Sequence, residues 1–431
     1  MPVAETIFAL SSGAPPAAIA IIRISGPEAF TAVKLLARRV PTPRRASLAT
    51  LRDPSDDGIL DEALVLVFPA PNTATGEDLA ELHLHGGRAV VRAVEVALVA
   101  ISGLRRAEPG EFTRRAFANG RMDLNEAEGL SDLLAAETEY QRRAAASMMG
   151  GAFTRAIEEW RMQLLRISAL TEAELDFSDE DDVDSQNKIS ITEGCAEIQQ
   201  EIDTVLRRTP AEKLRDGLRI VLGGPPNSGK STLLNALAAR DAAIVSDIAG
   251  TTRDIIEVPI ALSGLAFILT DTAGVRDCSD DVIEAIGIER ARDAFAAADM
   301  ILWLGQEGDG PDHPALIEID AKADQRERPT KSANALTLSA KTGDGIADLL
   351  YYITERAKDM LGPADSYAVN ARQRDLLADA SQMLSEAAQS EDWLIVGEQL
   401  RRVRLSLDAL TGRAHTEDLL DTVFGNFCIG K

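Results

Sequence analysis

Aromatic residues make up only 4% of this sequence, and cysteine occurs three times, at Cys195, Cys278 and Cys428. Cysteines so few and so widely spaced exclude a disulfide framework and fit a reducing compartment, so a cytoplasmic location is expected. Histidine is as scarce: His83, His85, His313 and His415 complete the set, without zinc-finger spacing. His83 and His85 alternate within Glu81-Leu82-His83-Leu84-His85, the pattern of ordinary strand residues rather than of ligands. No run of about 18 apolar residues is free of charge, so no membrane span is expected. Residues 1–13 lack a basic stretch ahead of a long apolar one, so no secretory signal is expected either. Positive charge is also in short supply, for the formal net charge is −24. So acidic a chain repels polyphosphate backbones at long range, and service to a nucleic acid would need a local basic patch or a basic partner.

What is present is apolar residue, 45% of 431, enough for two or three domains. Strand candidates lie at Ile19–Ile24, Ala63–Phe68 and Asp78–His85, punctuated by Pro and Gly, so the first 118 or so residues read as mixed α/β. From Leu124 to Leu175 there is no proline, and apolar residues recur at helical spacing, as in Leu130, Leu133, Leu134 and Ile157, Trp160, Leu164. Gly150-Gly151 is the expected break. The acidic run from Asp176 to Asp184 reads as a solvated loop. Helix is expected again over 190–214. Alternating strands and helices follow from Gly217 to about Leu361, and helical periodicity returns over 370–424. The simplest architecture is an α/β domain inserted into a helical one.

The inserted block carries the chemistry. Gly224-Pro225-Pro226-Asn227-Ser228-Gly229-Lys230-Ser231 matches G-x-x-x-x-G-K-[ST], between an apolar strand at Arg219–Leu222 and a helix opening at Thr232. In that context, backbone N–H groups and a helix N-terminus cradle phosphates. Lys230 would reach the β- and γ-phosphates and Ser231 would ligate Mg²⁺. Asp271-Thr272-Ala273-Gly274 follows the strand at Leu265–Thr270 and fits D-x-x-G, with Asp271 facing Mg²⁺ through water and the Gly274 N–H meeting the γ-phosphate. Between the two lies Ser246 to Asp254, with threonines suited to complete the Mg²⁺ shell. Ser339-Ala340-Lys341 fits the guanine-side S-A-K motif. In this order and spacing the motifs describe a GTPase, with GTP expected against Asn227, Ser228, Gly229, Lys230, Ser231, Thr232, Ser246, Thr252, Asp271, Gly274, Lys322, Asp324, Ser339, Ala340 and Lys341.

Two positions depart from the pattern. The residue after Gly274 is Val275, which cannot orient water as a glutamine there would. Ala321-Lys322-Ala323-Asp324 stands where N-K-x-D is expected, so the guanine-reading carboxylate is kept and the asparagine is not.

The segments Pro226–Ser231, Asp247–Asp254 and Ile286–Arg290 resemble the MnmE (TrmE) family of tRNA-modification GTPases, as do Thr75-Gly76-Glu77-Asp78, Gly110-Glu111-Phe112 and the final Phe427–Lys431. The resemblance spans nearly the whole chain. It implies an N-terminal α/β folate-binding and dimerisation domain (1–118), a helical domain in two parts (119–214 and 364–431) and an inserted Ras-like P-loop G domain (215–363). It further implies K⁺ at Asn227, Ser246, Ile248 and Thr251, Mg²⁺ at Ser231 and Thr252, and a water-activating Glu284. A tetrahydrofolate one-carbon donor, 5,10-methylene or 5-formyl, would meet Arg23, Glu81, Arg121 and Lys431. Residues 11–16 lack the family's usual glycine- and arginine-rich turn. Cys428 is either a catalytic thiol or a buried small hydrophobe. The implied activity is that of a homodimeric, K⁺-stimulated GTPase. With the FAD-bearing flavoprotein MnmG, in a heterotetramer that supplies most tRNA contacts, it modifies C5 of the wobble uridine with an aminomethyl-type group. The rival readings are a ribosome-assembly or rRNA-binding regulatory GTPase, and a folate-binding protein with a decayed G domain. With Ala321 in place of asparagine, GTP should bind more weakly than in a relative bearing Asn, by about 1–2 kcal/mol. Nucleotide titration of this chain and of Ala321→Asn checks this, and equal dissociation constants would refute it.

Overall fold

The computed structural model describes residues 5–176, 185–239, 256–271, 291–325, 331–363, 367–414, 417–425 and 427–430. The chain divides into two compact units, Met1–Ser131 with Asp408–Lys431, and Asp132–Leu407.

The first unit is built on a six-stranded sheet of β1 (Thr6–Leu10), β2 (Ile19–Ser25), β3 (Ser47–Arg52), β4 (Ile59–Phe68), β5 (Leu79–His85) and β6 (Leu104–Arg106), in the order β3-β4-β5-β2-β1-β6. Alternation decides its faces. Ala20, Ile22 and Ile24 of β2, Ala63, Val65 and Val67 of β4, and Ala80, Leu82 and Leu84 of β5 are buried in one cluster. Helices α1 (Ala29–Ala37) and α2 (Arg88–Val99) close that cluster with Val33, Leu36, Val94 and Leu98. The intervening residues Arg23, Glu81 and His83 form the opposite face, which is half-open to solvent.

Beyond β6, α3 (Glu111–Ala118) and the start of α4 (Leu124–Ala135) pack with α13 (Glu417–Gly425) around Leu124, Leu420, Phe424 and Phe427. Gly110, at φ +67°, admits this contact, since a Cβ there would stand 2.2 Å from the Phe424 carbonyl oxygen. The C-terminal segment returns to β1. Ile429 bridges Pro109, and the Ser11 hydroxyl donates to the Gly430 carbonyl at 2.9 Å. Cys428 on that segment is exposed, which corrects the reading of it as a buried hydrophobe.

The second unit holds another six-stranded sheet, in the order β12-β11-β10-β7-β9-β8. Its strands are β7 (Leu218–Gly223), β8 (Ile256–Leu262), β9 (Leu265–Asp271), β10 (Met300–Trp303), β11 (Leu316–Asp320) and β12 (Leu336–Thr337). All neighbours run parallel except the β8–β9 hairpin, which turns at Ser263-Gly264, both at positive φ as such tight turns require. With β9 on one side of β7 and β10 on the other, the strand order reverses at β7, and α/β folds place ligands at the carboxyl end of such a switch point. Helices α9 (Lys230–Ala238) and α10 (Ile346–Leu361) cover the sheet with Leu233, Leu237, Leu349 and Ile353.

The expected long helices are shorter than their periodicity suggested. The segment 124–175 is three helices: α4, α5 (Glu139–Met149) and α6 (Ala152–Asp176). Besides Gly150-Gly151, it breaks at Thr138, which caps α5 by a reciprocal box with Gln141. Pro210 divides α7 (Ser185–Leu206) from α8 (Ala211–Asp216), and Ser390 ends α11 (Ala371–Gln389) before α12 (Trp393–Thr411). Polar ties hold α7 to its neighbours. Trp160 Nε1 of α6 donates to Glu201 at 2.6 Å, and Ser381 Oγ of α11 donates to Asp203 at 2.7 Å.

An ion network joins two motif segments of the first unit. Arg115 donates to Glu77 at 3.0 Å and to Glu111 at 3.0 Å, while Arg105 grips Glu111 through both terminal nitrogens, at 2.8 and 2.6 Å. Ser25 donates to Glu77 at 2.8 Å, and Asn119 donates to the Thr75 carbonyl at 2.7 Å. Burial pushes the Glu111 carboxyl up, but hydrogen bonds from Arg105, the Glu108 amide and Arg115 outweigh it and hold the group below its ordinary value. A carboxyl depressed on folding stabilises fully above its unfolded pKa, about 4.3, and that contribution is lost as pH falls through the lowered folded value. Glu111→Gln should therefore lower the unfolding temperature at pH 7 by about 4 °C or more, with the gap to the parent closing below about pH 4. Thermal scans of both proteins across that range check it; a gap independent of pH would contradict it.

Candidate functional site

The candidate site is assembled at the carboxyl ends of the strands in the second sheet. After β7 the chain turns through residues 224–229 into α9, with Asn227 at φ +60° and Gly229 at φ +107°. These left-handed residues bend the loop so that Lys230, the first residue of α9, is only 5% exposed. A buried ammonium needs compensation, and Lys230 Nζ donates to the carbonyls of Gly224 and Pro225 at 2.9 and 3.0 Å. The Ser228 hydroxyl is buried in the same loop and has no hydrogen-bond partner among the described residues. Next along α9, the Ser231 hydroxyl donates to Asp271 Oδ2 at 2.6 Å, joining the helix to the end of β9. Hydroxyl and carboxylate oxygens side by side are hard ligands of the kind Mg²⁺ takes, and a loop leading into a helix N-terminus is the kind of backbone that binds phosphate. The residues present therefore fit that cation.

The second half of the site comes from the loops after β11 and β12. Lys322, at φ +61°, reaches back so that Nζ donates to the Asn227 carbonyl at 2.5 Å. Asp324 is oriented by the buried Ser339, whose hydroxyl donates to Oδ1 at 2.8 Å and accepts from the Thr342 amide at 3.2 Å. Backbone bonds from Ala323 to Leu338 and from Leu338 to Asp320 hold the two loops together. Between them and α9 lies a cavity of about 180 Å³, lined by Gly229, Thr232, Leu233, Leu304, Ala321, Lys322, Asp324, Gln325, Leu338, Ala340 and Lys341. Apolar walls and one aimed carboxylate suit a flat heteroaromatic base that offers paired N–H donors. Sequence reasoning missed Leu304 and Gln325 as lining residues; Leu304 follows β10 in the same way that Gly224 follows β7, a signal available only once strand order is known.

The structure thus brings together Asn227, Ser228, Gly229, Lys230, Ser231, Thr232, Asp271, Lys322, Asp324, Ser339, Ala340 and Lys341. Ser246, Ile248, Thr251, Thr252, Gly274, Glu284 and Lys431 lie outside the described residues.

Of the residues expected on the first sheet, Arg23 and Glu81 meet. Arg23 donates from Nε and Nη2 to Glu81 Oε1 at 3.2 and 2.9 Å. Arg121 is placed by a different element: its amide donates to the Ala116 carbonyl, and its side-chain stem lies beside Gly76. Cys195, outside these sites, is fully buried in α7, and burial pushes its thiol up to about 11, so it is an inert packing residue.

Two family models match the chain. "GTP-binding protein TrmE N-terminus" covers residues 6–121, and "MnmE helical domain" covers residues 124–428. The chain is 55% identical over 427 residues to the tRNA modification GTPase MnmE of Erythrobacter litoralis, an alignment that takes in 99% of this chain and 100% of the relative. It is 54% identical to the protein of the same description from Novosphingobium aromaticivorans over 435 residues (99% and 100% of the two chains) and to that from Rhizorhabdus wittichii over 429 residues (99% and 97%).

Proposed function

Because the chain belongs to the MnmE family of tRNA modification GTPases, we propose that it hydrolyses GTP on the 224–231 loop with help from K⁺ and couples that cycle to modification of the wobble uridine of certain tRNAs. The observation that carries the reading is the Ser231–Asp271 contact above a loop whose lysine is buried. Lys230 neutralises the β- and γ-phosphates, and the loop amides hold their oxygens. Ser231 and Thr252 hold Mg²⁺, which when bound offsets charge between those phosphates. Asp324 accepts from the guanine N–H groups. Asn227 is exposed on the loop, and its carbonyl is engaged by Lys322. With Ser246, Ile248 and Thr251 it holds K⁺, which does the work of an arginine finger. Val275 cannot orient water, so Glu284 takes that task.

The same reading divides the chain into a folate-binding and dimerising N-terminal domain (1–118), a two-part helical domain (119–214, 364–431) and a G domain (215–363). The Arg23–Glu81 pair supports the folate part. The carboxylate suits the paired N–H donors of an amino-pyrimidine ring, and the guanidinium beside it holds it in place. Arg121 and Lys431 add charge for the ligand's glutamate tail, and the exposed Cys428 stands as the candidate thiol beside it. The homodimer acts in the cytoplasm with the flavoprotein MnmG, whose FAD supplies the redox step and whose surface supplies most tRNA contacts, consistent with a net charge of −24 here. The full-length relatives support this reading over the ribosomal one.

GTP turnover in K⁺ buffer should exceed that in Na⁺ buffer by about tenfold or more, and Asn227→Ala should abolish the difference. Equal rates in both salts would remove Asn227 as a cation ligand.

A further inference from the structure

His83 was expected to be an ordinary strand residue, yet it shares a carboxylate with Arg23. Along β5, Leu82 and Leu84 point into the core, so Glu81, His83 and His85 occupy the opposite face. Glu81 is gripped on both sides. Its Oε1 takes two hydrogen bonds from Arg23, and its Oε2 lies 3.3 Å from His83 Nε2. The three side chains are only 17–26% exposed. The cross-strand neighbours of His83 are apolar, Ile21 on β2 and Leu64 on β4. On β5 and its two neighbouring strands the charged groups of this face are Glu81 and His85, Arg23 from β2 and Glu62 from β4, while Arg105 lies farther along the face on β6. His85 is engaged separately by Asp61 at 2.7 Å. Glu81 is therefore the acid that His83 answers to.

We propose that His83 is a positioning residue for the folate site: it fixes the Glu81 carboxylate through Oε2 and makes ligand binding depend on its own protonation. The inference rests on the folate reading above. An amino-pyrimidine ring offers a pair of N–H donors, and a carboxylate accepts such a pair best when an oxygen facing the ligand can be released. Oε1 is committed to Arg23, so Oε2 is the oxygen the ligand must share or take. Neutral imidazole, with its proton on Nε2, orients Oε2 through a single hydrogen bond and yields it more readily than imidazolium does. Imidazolium adds a full positive charge to that bond and holds the oxygen more tightly against the incoming donors. Affinity should therefore fall as the imidazole is protonated on acidification.

The test is calorimetric titration of the full chain with 5-formyltetrahydrofolate, whose acylated N5 does not titrate in this range, between pH 5.5 and 8. His83→Gln keeps a donor but cannot be protonated, and His83→Asn is carried alongside so that failure of one variant to fold leaves the test standing. The parent should bind about fivefold or more weakly at pH 5.5 than at pH 7.5, and both variants should be flat to within about twofold. A parent that binds with a pH profile retained in the variants overturns the role of His83 and leaves the folate reading intact. A parent that binds at no pH overturns the folate reading and this inference together.

Discussion

A lysine buried in a strand-to-helix turn is the constraint on which the nucleotide site depends. Lys230 can be taken out of water only because the loop before it turns its own carbonyls inward, and the loop does so only because Asn227 and Gly229 adopt left-handed backbone. A loop of this kind leading into a helix N-terminus is the sort of backbone that cradles an anion. Its shape also presents the Asn227 carbonyl to Lys322, which ties the phosphate loop to the loop after β11. The same loop places Ser231 at the end of β9, where Asp271 meets it. One burial problem thus links three strand ends.

That linkage bears on the missing asparagine. In N-K-x-D loops, asparagine shares in bracing the phosphate loop. Here Ala321 has no side-chain donor, and Lys322 carries a brace to Asn227 while Ser339 fixes the direction of Asp324. The carboxylate that discriminates among bases is therefore oriented independently of residue 321. Affinity and selectivity are separable in such an arrangement, because one comes from the number of bonds to the base and the other from which donors a single carboxylate accepts.

Much of this was legible in the sequence where chemistry or alternation restricts residue type. The phosphate loop could be read because glycine, lysine and serine at fixed spacing have few other uses. Strands β2, β4 and β5 could be read because one side of each is apolar at every second residue. The short or weakly patterned strands β1, β3 and β6 could not be singled out, since their partners, not their composition, make them strands. The break at Thr138 carried a readable signal, a threonine three residues before a glutamine, hidden by helical periodicity on both sides. The tie from Arg115 to Glu77 was not legible, because an ion pair between segments tens of residues apart leaves no spacing to find, whereas Glu111 and Arg115 stand at the i,i+4 spacing of a helix pair. His83 was opaque for the same reason: alternation put it on the open face, but only strand register shows that Glu81 divides its oxygens between His83 and Arg23.

The central claim is that one cavity reads guanine through Asp324 while the 224–231 loop holds the phosphates. Displacement of a fluorescent GDP by GTP, ATP and XTP, from the parent chain and from Asp324→Asn, tests it most directly. ATP should displace about a hundredfold less well than GTP from the parent, and Asp324→Asn should exchange preference for GTP for preference for XTP. Displacement by ATP as effective as by GTP, or an Asp324→Asn protein that keeps its preference for GTP, would contradict the account.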